Sequence, residues 1–338
     1  MLARCAKVAL ISLAAVLLLM HLVSHVWSFY TGIDPSYQGP LPRDETLLQY
    51  YDYPEQPIDA EIRETHRTRS YAVKAVRFPP ATNFLGTGPL DIEFDFYEHP
   101  VGKRPAILLI PAAGGIEFDN TTRLFAALFA LSGYNCAVVH SRKIDLERIE
   151  SGDYVESFLR QAIVDHRRVL DYLELQDTVD PTRIGSFGLS LGGIEAVVTA
   201  GVDARLKCNV IALAGGSIAD ILCCSSSSMF AEPRERILAE GNATLDELHH
   251  ELASIRSDPL ALAPYIDARN VLMITALFDR TIPKECSTEL RRTMGNPQVF
   301  YTLTTHRGAA VYIVYSYLRA LGFFNNAFAT AKPGEDAS

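Results

Sequence analysis

The chain has 338 residues, of which 48% are apolar and 21% charged, and its formal charge is −9. Those proportions exclude a disordered or fibrous protein and leave room for one large domain or two small ones. An acidic chain with no basic, aromatic-interleaved patch is repelled by phosphate backbones, so no nucleic-acid partner is expected.

The N-terminus departs from the globular pattern. From Val8 to Tyr30 run 23 residues without Asp, Glu, Lys or Arg, against about 20 that an apolar helix needs to cross the hydrocarbon core. Arg4 and Lys7 precede the run and the first acid, Asp34, follows it. That asymmetry predicts a transmembrane helix whose N-terminus stays in the cytoplasm and whose body lies outside, periplasmic or extracellular. The rival is a cleaved signal peptide and a soluble exported protein, because Val8–Met20 alone has the length of a signal h-region. The following HLVSHVWSFYTG has no A-x-A-like cleavage site, which favours the anchor. Residues 1–30 are thus expected to be a signal-anchor through which the chain meets the membrane. Residues 31–68, rich in Pro, Tyr and charge, read as a linker and wrapping segment between membrane and body.

From residue 69 to 324 strand-like and helix-like segments alternate. Tyr71–Phe78 and Leu90–Tyr97 predict an opening antiparallel pair, the second alternating as DIEFDFY. Ala106–Ile110, Cys136–His140, Arg183–Gly188, Asn209–Ala214, Val271–Phe278 and Val299–Leu303 are short apolar runs bounded by Pro, Gly or Asp. Such runs suit strands buried on both faces of a parallel sheet. Helices are expected over Thr121–Leu131, Val155–Leu175, Gly193–Ala200, Pro283–Met294 and Ala309–Leu321. The alternation predicts the α/β class, with a mostly parallel central sheet and helices on both faces. Residues 217–270 exceed a single crossover helix and predict a helical insertion, either a surface excursion or a cap over the active-site mouth. Residues 325–338 read as a tail, of which AKPGEDAS, residues 331–338, is expected to be disordered.

Six cysteines leave five after Cys5, an odd number, and no spacing suggests a structural metal. Cys136 and Cys208, in or beside apolar runs, read as small buried hydrophobes. Sequon triplets begin at Asn120 and Asn242, a pattern common by chance.

The chemistry is carried by Gly188-Leu189-Ser190-Leu191-Gly192, a G-x-S-x-G turn between a strand, RIGSFG, and a helix, GIEAVVTA. Two glycines permit a turn sharp enough to lift the serine hydroxyl clear of the backbone. A serine hydroxyl needs a neighbouring base to take its proton. His306 follows the last strand and fits that role. Asp279, at the end of VLMITALFD, fits the acid that fixes the histidine tautomer. Taken singly, Asp279 is also a turn former and His306 a helix cap; the ordered set Ser190, Asp279, His306 is far more specific than any member. Asp220, after the preceding strand, is the alternative acid. An oxyanion hole requires the amide of Leu191 and one from the loop Pro111–Gly115, with Ala113 favoured over Ala112. No metal or organic cofactor is implied.

Residues from about 70 to 322 resemble the α/β-hydrolase superfamily. GLSLGG, the DP before RIGSFG, LFD-x-x-IP and the late His are similar to the branch of dienelactone hydrolases and acetyl xylan esterases. The resemblance implies the triad Ser190, Asp279 and His306. The chain departs from it in placing Thr305 before His306, where many members have Gly, and Leu189 and Leu191 around the serine, where many esterases have Gln, Asp or His. Large apolar neighbours point to an apolar acyl pocket. The expected function is hydrolysis of an uncharged, small-molecule or lipid-like carboxylic ester through an acyl-enzyme. Thioester hydrolysis or acyl transfer by the same triad is the nearest alternative, and a catalytically silent binding protein the further one.

Overall fold

The structure, a computed structural model, describes residues 2–29, 32–86, 91–113, 116–241 and 243–330. Among the described residues nine strands form one sheet: β1 (Glu61–Arg67), β2 (Ala72–Phe78), β3 (Ile92–Glu98), β4 (Arg104–Ile110), β5 (Asn135–Val139), β6 (Val179–Leu189), β7 (Leu206–Ala212), β8 (Val271–Ala276) and β9 (Gln298–Thr302). Their order is β1-β2-β3-β5-β4-β6-β7-β8-β9, antiparallel from β1 through β3 to β5 and parallel from β5 to β9. The helices are α1 (Leu2–Phe29), α2 (Glu45–Tyr50), α3 (Ile116–Leu131), α4 (Gly152–Glu174), α5 (Leu191–Val202), α6 (Ile218–Cys224), α7 (Ser228–Ala239), α8 (Leu245–Ala253), α9 (Pro259–Leu262), α10 (Lys284–Thr293) and α11 (Ile313–Thr330).

The run AILLI shows why the sheet is buried on both sides. Ile107 and Leu109 pack with Phe125 and Phe129 of α3 and Phe324 of α11, while Ala106, Leu108 and Ile110 pack with Val169 and Leu170 of α4 and Ala196 of α5. All five are fully buried, and with a period of two only a continuous apolar run can fill both faces. Cys136 and Cys208 are buried in the same way on the α3 and α11 side. The chain passes from β4 to β5 on one side and then to β6 on the other. This reversal opens a crevice at the carboxyl ends of β4 and β6, where ligands bind in open α/β sheets.

Each predicted strand is present, together with one that was not expected. Residues 31–68 wrap on the body: α2 and β1 lie within them, and Tyr51 is fully buried with its hydroxyl 2.8 Å from Ser257 Oγ. Every residue of β1, EIRETHR, is exposed, so main-chain pairing to β2 holds it and no hydrophobic alternation marks it. The tail expected from residue 325 begins later. α11 continues to Thr330 and buries Phe328 beside Phe324; residues 331–338 lie outside the described residues.

The expected transmembrane helix over Val8–Tyr30 is corrected; Tyr30 itself lies outside the described residues. Among the described residues no helix is long and apolar enough to cross a membrane. α1 forms, but its second half is committed to the body. Ser24 Oγ lies 3.1 Å from the Tyr312 hydroxyl, and His21 stacks on the Tyr312 ring at 4.4 Å. His25 Nδ1 meets the Tyr315 hydroxyl at 2.5 Å, and the Tyr301 amide donates to Ser28 Oγ at 3.3 Å. At 1.5 Å per residue, the stretch from Val8 to Leu19 ahead of this docking covers about 18 Å of the roughly 30 Å of hydrocarbon.

Candidate active site

Ser190 sits between β6 and α5 with φ 56° and ψ −117°, a region that L-residues avoid and that surrounding structure must enforce. Two main-chain bonds hold it: its amide donates to Ala212 O at 2.8 Å, and its carbonyl accepts from the Gly193 amide at 2.8 Å. Both glycines of the turn are steric requirements. A Cβ at Gly188 would lie 2.2 Å from Gly192 O, and one at Gly192 would lie 2.2 Å from Ile110 O. The serine therefore projects at the start of α5, where the helix dipole favours negative charge.

Asp279 follows β8 in a turn that its own side chain makes. Oδ1 accepts from the amides of Thr281 at 2.8 Å and Ile282 at 2.9 Å, the Asx geometry that fixes a carboxylate's direction. Oδ2 is left for His306 Nδ1, which donates to it at 2.7 Å. A carboxylate can only accept, so Nδ1 carries the proton and Nε2 is the free acceptor. Ser190 Oγ lies 3.0 Å from that Nε2 and donates to it. The acid and histidine loops are tied by main chain, with the Leu277 amide on Thr302 O and the Phe278 amide on Thr304 O, each at 3.0 Å. The structure thus brings together Ser190, Asp279 and His306 from three loops separated by up to 116 residues.

Asp220 is not part of this group. It lies on α6, bonded to Ser217 Oγ at 2.5 Å and to His249 Nε2 at 3.0 Å. The other histidines have separate partners. His99 Nε2 meets Ala130 O at 2.7 Å, and His140 lies 3.4 Å from Asp95, a contact that raises its pKa. His166 is buried on α4, and burial pulls its pKa down to about 3.

Ala112, Ala113, Ser190 and Leu191 line one cavity. Among the described residues the Ala113 amide donates to no protein acceptor. Gly114 and Gly115, the rest of the expected oxyanion loop, lie outside the described residues, as does the sequon residue Asn242.

Ser190 stands between two cavities. The larger, about 400 Å³, is walled by α4, α5, α6 and α7 and by the loop after β5. The smaller, about 80 Å³, is bounded by His306, Ala309, Ala310, Phe125 and Ile274. The insertion supplies Ile221, Leu222, Met229 and Phe230 to the wall of the larger one. Sequence reasoning missed Ser141 to Ile144 as lining residues. The usable signal was their place directly after β5, at the carboxyl end of a parallel strand.

No protein-family model matches the chain, and no curated protein does. Solved structures do. An acetyl xylan esterase from Paenibacillus sp. R4 matches with TM-score 0.67 at 18% identity, over 85% of this chain and 96% of that one. Acetyl xylan esterase 1 from Thermoanaerobacterium sp. JW/SL YS485 matches with TM-score 0.62 at 16% identity, over 86% and 96%. A glucuronoyl esterase from Solibacter usitatus matches with TM-score 0.52 at 13% identity, over 84% and 91%. At such identities the likeness is one of fold, and the fold is the α/β-hydrolase fold.

Proposed function

We propose that the protein is a serine esterase that cleaves a carboxylic ester through an acyl-enzyme. The observation that carries the proposal is the 3.0 Å contact between His306 Nε2 and Ser190 Oγ, made by a histidine whose other nitrogen is held by Asp279. Ser190 Oγ attacks the ester carbonyl carbon as its proton passes to His306 Nε2. The carbonyl oxygen becomes an oxyanion facing the amides of Leu191 and Ala113. The C–O bond then breaks, the alkoxide takes the proton from Nε2, and the alcohol leaves. Water attacks the ester carbon of the acyl-serine, gives its proton to His306, and the carboxylic acid departs as Ser190 is reprotonated. Asp279 keeps the tautomer and offsets the imidazolium charge. Every step uses groups of the chain and water. The names of the similar structures support the same chemistry. A fluorophosphonate probe tests it: the expected product is a single phosphonylated peptide containing Ser190, with loss of ester turnover in step. Labelling elsewhere would remove Ser190 from the role.

For location, we infer an exported enzyme with its body outside the cytoplasm. Arg4 and Lys7 directly ahead of the apolar run, the pattern of an export signal, support that placement. Leu18, Leu19, Leu22, Val26 and Trp27 on the exposed face of α1 support contact with a membrane interface. Fractionation of cells that make the full chain, with N-terminal sequencing, tests this: a retained N-terminus in the membrane fraction is expected, and a cytosolic protein would refute it.

A further inference from the structure

The two cavities beside Ser190 differ in size and in their relation to His306, and together they assign the two halves of an ester. The argument rests on the serine-esterase reading above. When the tetrahedral intermediate collapses, the departing alkoxide must receive the proton held on His306 Nε2. The alcohol therefore lies on the side where His306 forms the wall. That is the 80 Å³ recess, which His306, Ala309 and Ala310 bound. The acyl group lies on the other side, in the 400 Å³ cavity, whose walls do not include His306.

That cavity suits one kind of occupant. Val155 and Leu159 of α4, Ile194 of α5, Ile221 and Leu222 of α6 and Phe230 of α7 supply an aliphatic and aromatic wall. Two cations also border it. Arg142 is committed to Asp165 at 2.7 Å, and Lys143 is exposed, so neither leaves an unpaired buried charge for an anionic substrate. Ser141 adds a single buried hydroxyl. An acetyl group would leave most of this apolar volume to water. If a methylene is given about the 30 Å³ that a water molecule occupies in the liquid, the cavity holds on the order of ten chain atoms.

We propose that the insertion over residues 217–270 makes this chain selective for esters of medium-length fatty acids with small alcohols. α6 and α7 build the far wall of the acyl cavity and set the longest chain accepted. The recess by His306 limits the alcohol to a few carbons.

The test uses the full chain in detergent and a pH-stat, with ethyl esters from acetate to dodecanoate and octanoates of methanol to octanol. Each added methylene is expected to raise kcat/KM about fourfold, the equivalent of about 0.8 kcal/mol, up to about eight to ten carbons, where the cavity is full. Octanoates should slow as the alcohol grows beyond butyl. Leu159→Trp and Leu222→Trp, which fill the cavity from different elements, should each lower the octanoate-to-acetate ratio at least tenfold, and Phe230→Ala should move the optimum to longer chains. A preference for acetate in the unaltered protein, or an optimum that none of the three substitutions moves, would overturn the acyl assignment while leaving the esterase reading in place. Absence of both Ser190 labelling and turnover of any ester would remove the reading on which it rests.

Discussion

His166 Nε2 and Glu195 Oε2 lie 3.6 Å apart in the interior, on α4 and α5, with neither side chain more than a few per cent exposed. Burial shifts the two in opposite directions. It lowers His166 from 6.5 to about 3, with Arg142 adding to the effect, and raises Glu195 from 4.5 to about 8, with Asp165 adding to it. Both groups are therefore neutral near pH 6. Between about pH 3 and 6.5 the unfolded chain binds a proton at His166 that the fold does not, so stability rises with pH across that window. Between about pH 4.5 and 8 the fold keeps a proton on Glu195 that the unfolded chain has lost, so stability falls as pH rises there. The two slopes offset each other between about pH 4.5 and 6.5, so the expected profile rises with pH below that window and falls above it toward pH 8. Glu195→Gln should preserve stability at pH 5 and remove the decline toward pH 8, so that the variant is the more stable protein on the alkaline side. Urea midpoints at pH 5, 6.5 and 8 check this, and an unchanged alkaline slope would count against it.

The backbone at Ser190 makes a separate prediction. Its φ of 56° is costly for any residue with a Cβ, by about 1–3 kcal/mol. Ser190→Ala and Ser190→Gly should both lose fluorophosphonate labelling and ester turnover. They should differ in stability, with glycine above alanine by about 1 kcal/mol, because only glycine relieves the strain. Thermal melts of the two variants side by side test it. Equal stability would mean that the turn is relaxed in solution.

Asp279 and Asp220 separate the proposed acid from its alternative. Asp279→Asn leaves the Asx turn nearly isosteric but presents an amide to His306 Nδ1, favouring the wrong tautomer; turnover should fall by about 10⁴, as for a triad acid elsewhere. Asp220→Asn weakens only a contact with Ser217 and His249 in the insertion and should change turnover less than about threefold. The reverse ranking in steady-state kinetics would move the acid to Asp220.

What the sequence revealed follows from where side chains, rather than backbone, decide. The parallel strands were legible because both faces of β4 and its neighbours are covered, which forces runs such as AILLI. Ser190, Asp279 and His306 were legible because a strand-to-helix turn and two strand ends must carry particular residue types. β1 was not legible, since its seven exposed residues owe their structure to main-chain bonds with β2. Nor was the docking of α1. His21 and His25 interrupt the apolar run, and only the fold shows Tyr312 and Tyr315 opposite them, with Ser24 and Ser28 bonded to Tyr312 and Tyr301 on the same side.

That docking changes what a truncation should do. Read as a free anchor, α1 could be removed without consequence. In the structure it covers Tyr312, which is fully buried and closes the 3-10 turn Arg307–Tyr312 directly after His306. Deleting residues 1–32 would uncover the Tyr312 ring, remove the Ser24 bond to its hydroxyl and expose part of Phe300 and Tyr301 beneath. Uncovering one large aromatic alone costs about 1.5–3 kcal/mol, and the turn that aims His306 loses its support. Deleting residues 2–14 leaves every one of these contacts in place. The shorter deletion should therefore match the full chain in melting temperature and in its rate of fluorophosphonate labelling. The longer one should melt several degrees lower and label at least several-fold more slowly, even where circular dichroism shows the body folded. Equal melting and labelling for both truncations would show that α1 does not support the histidine loop.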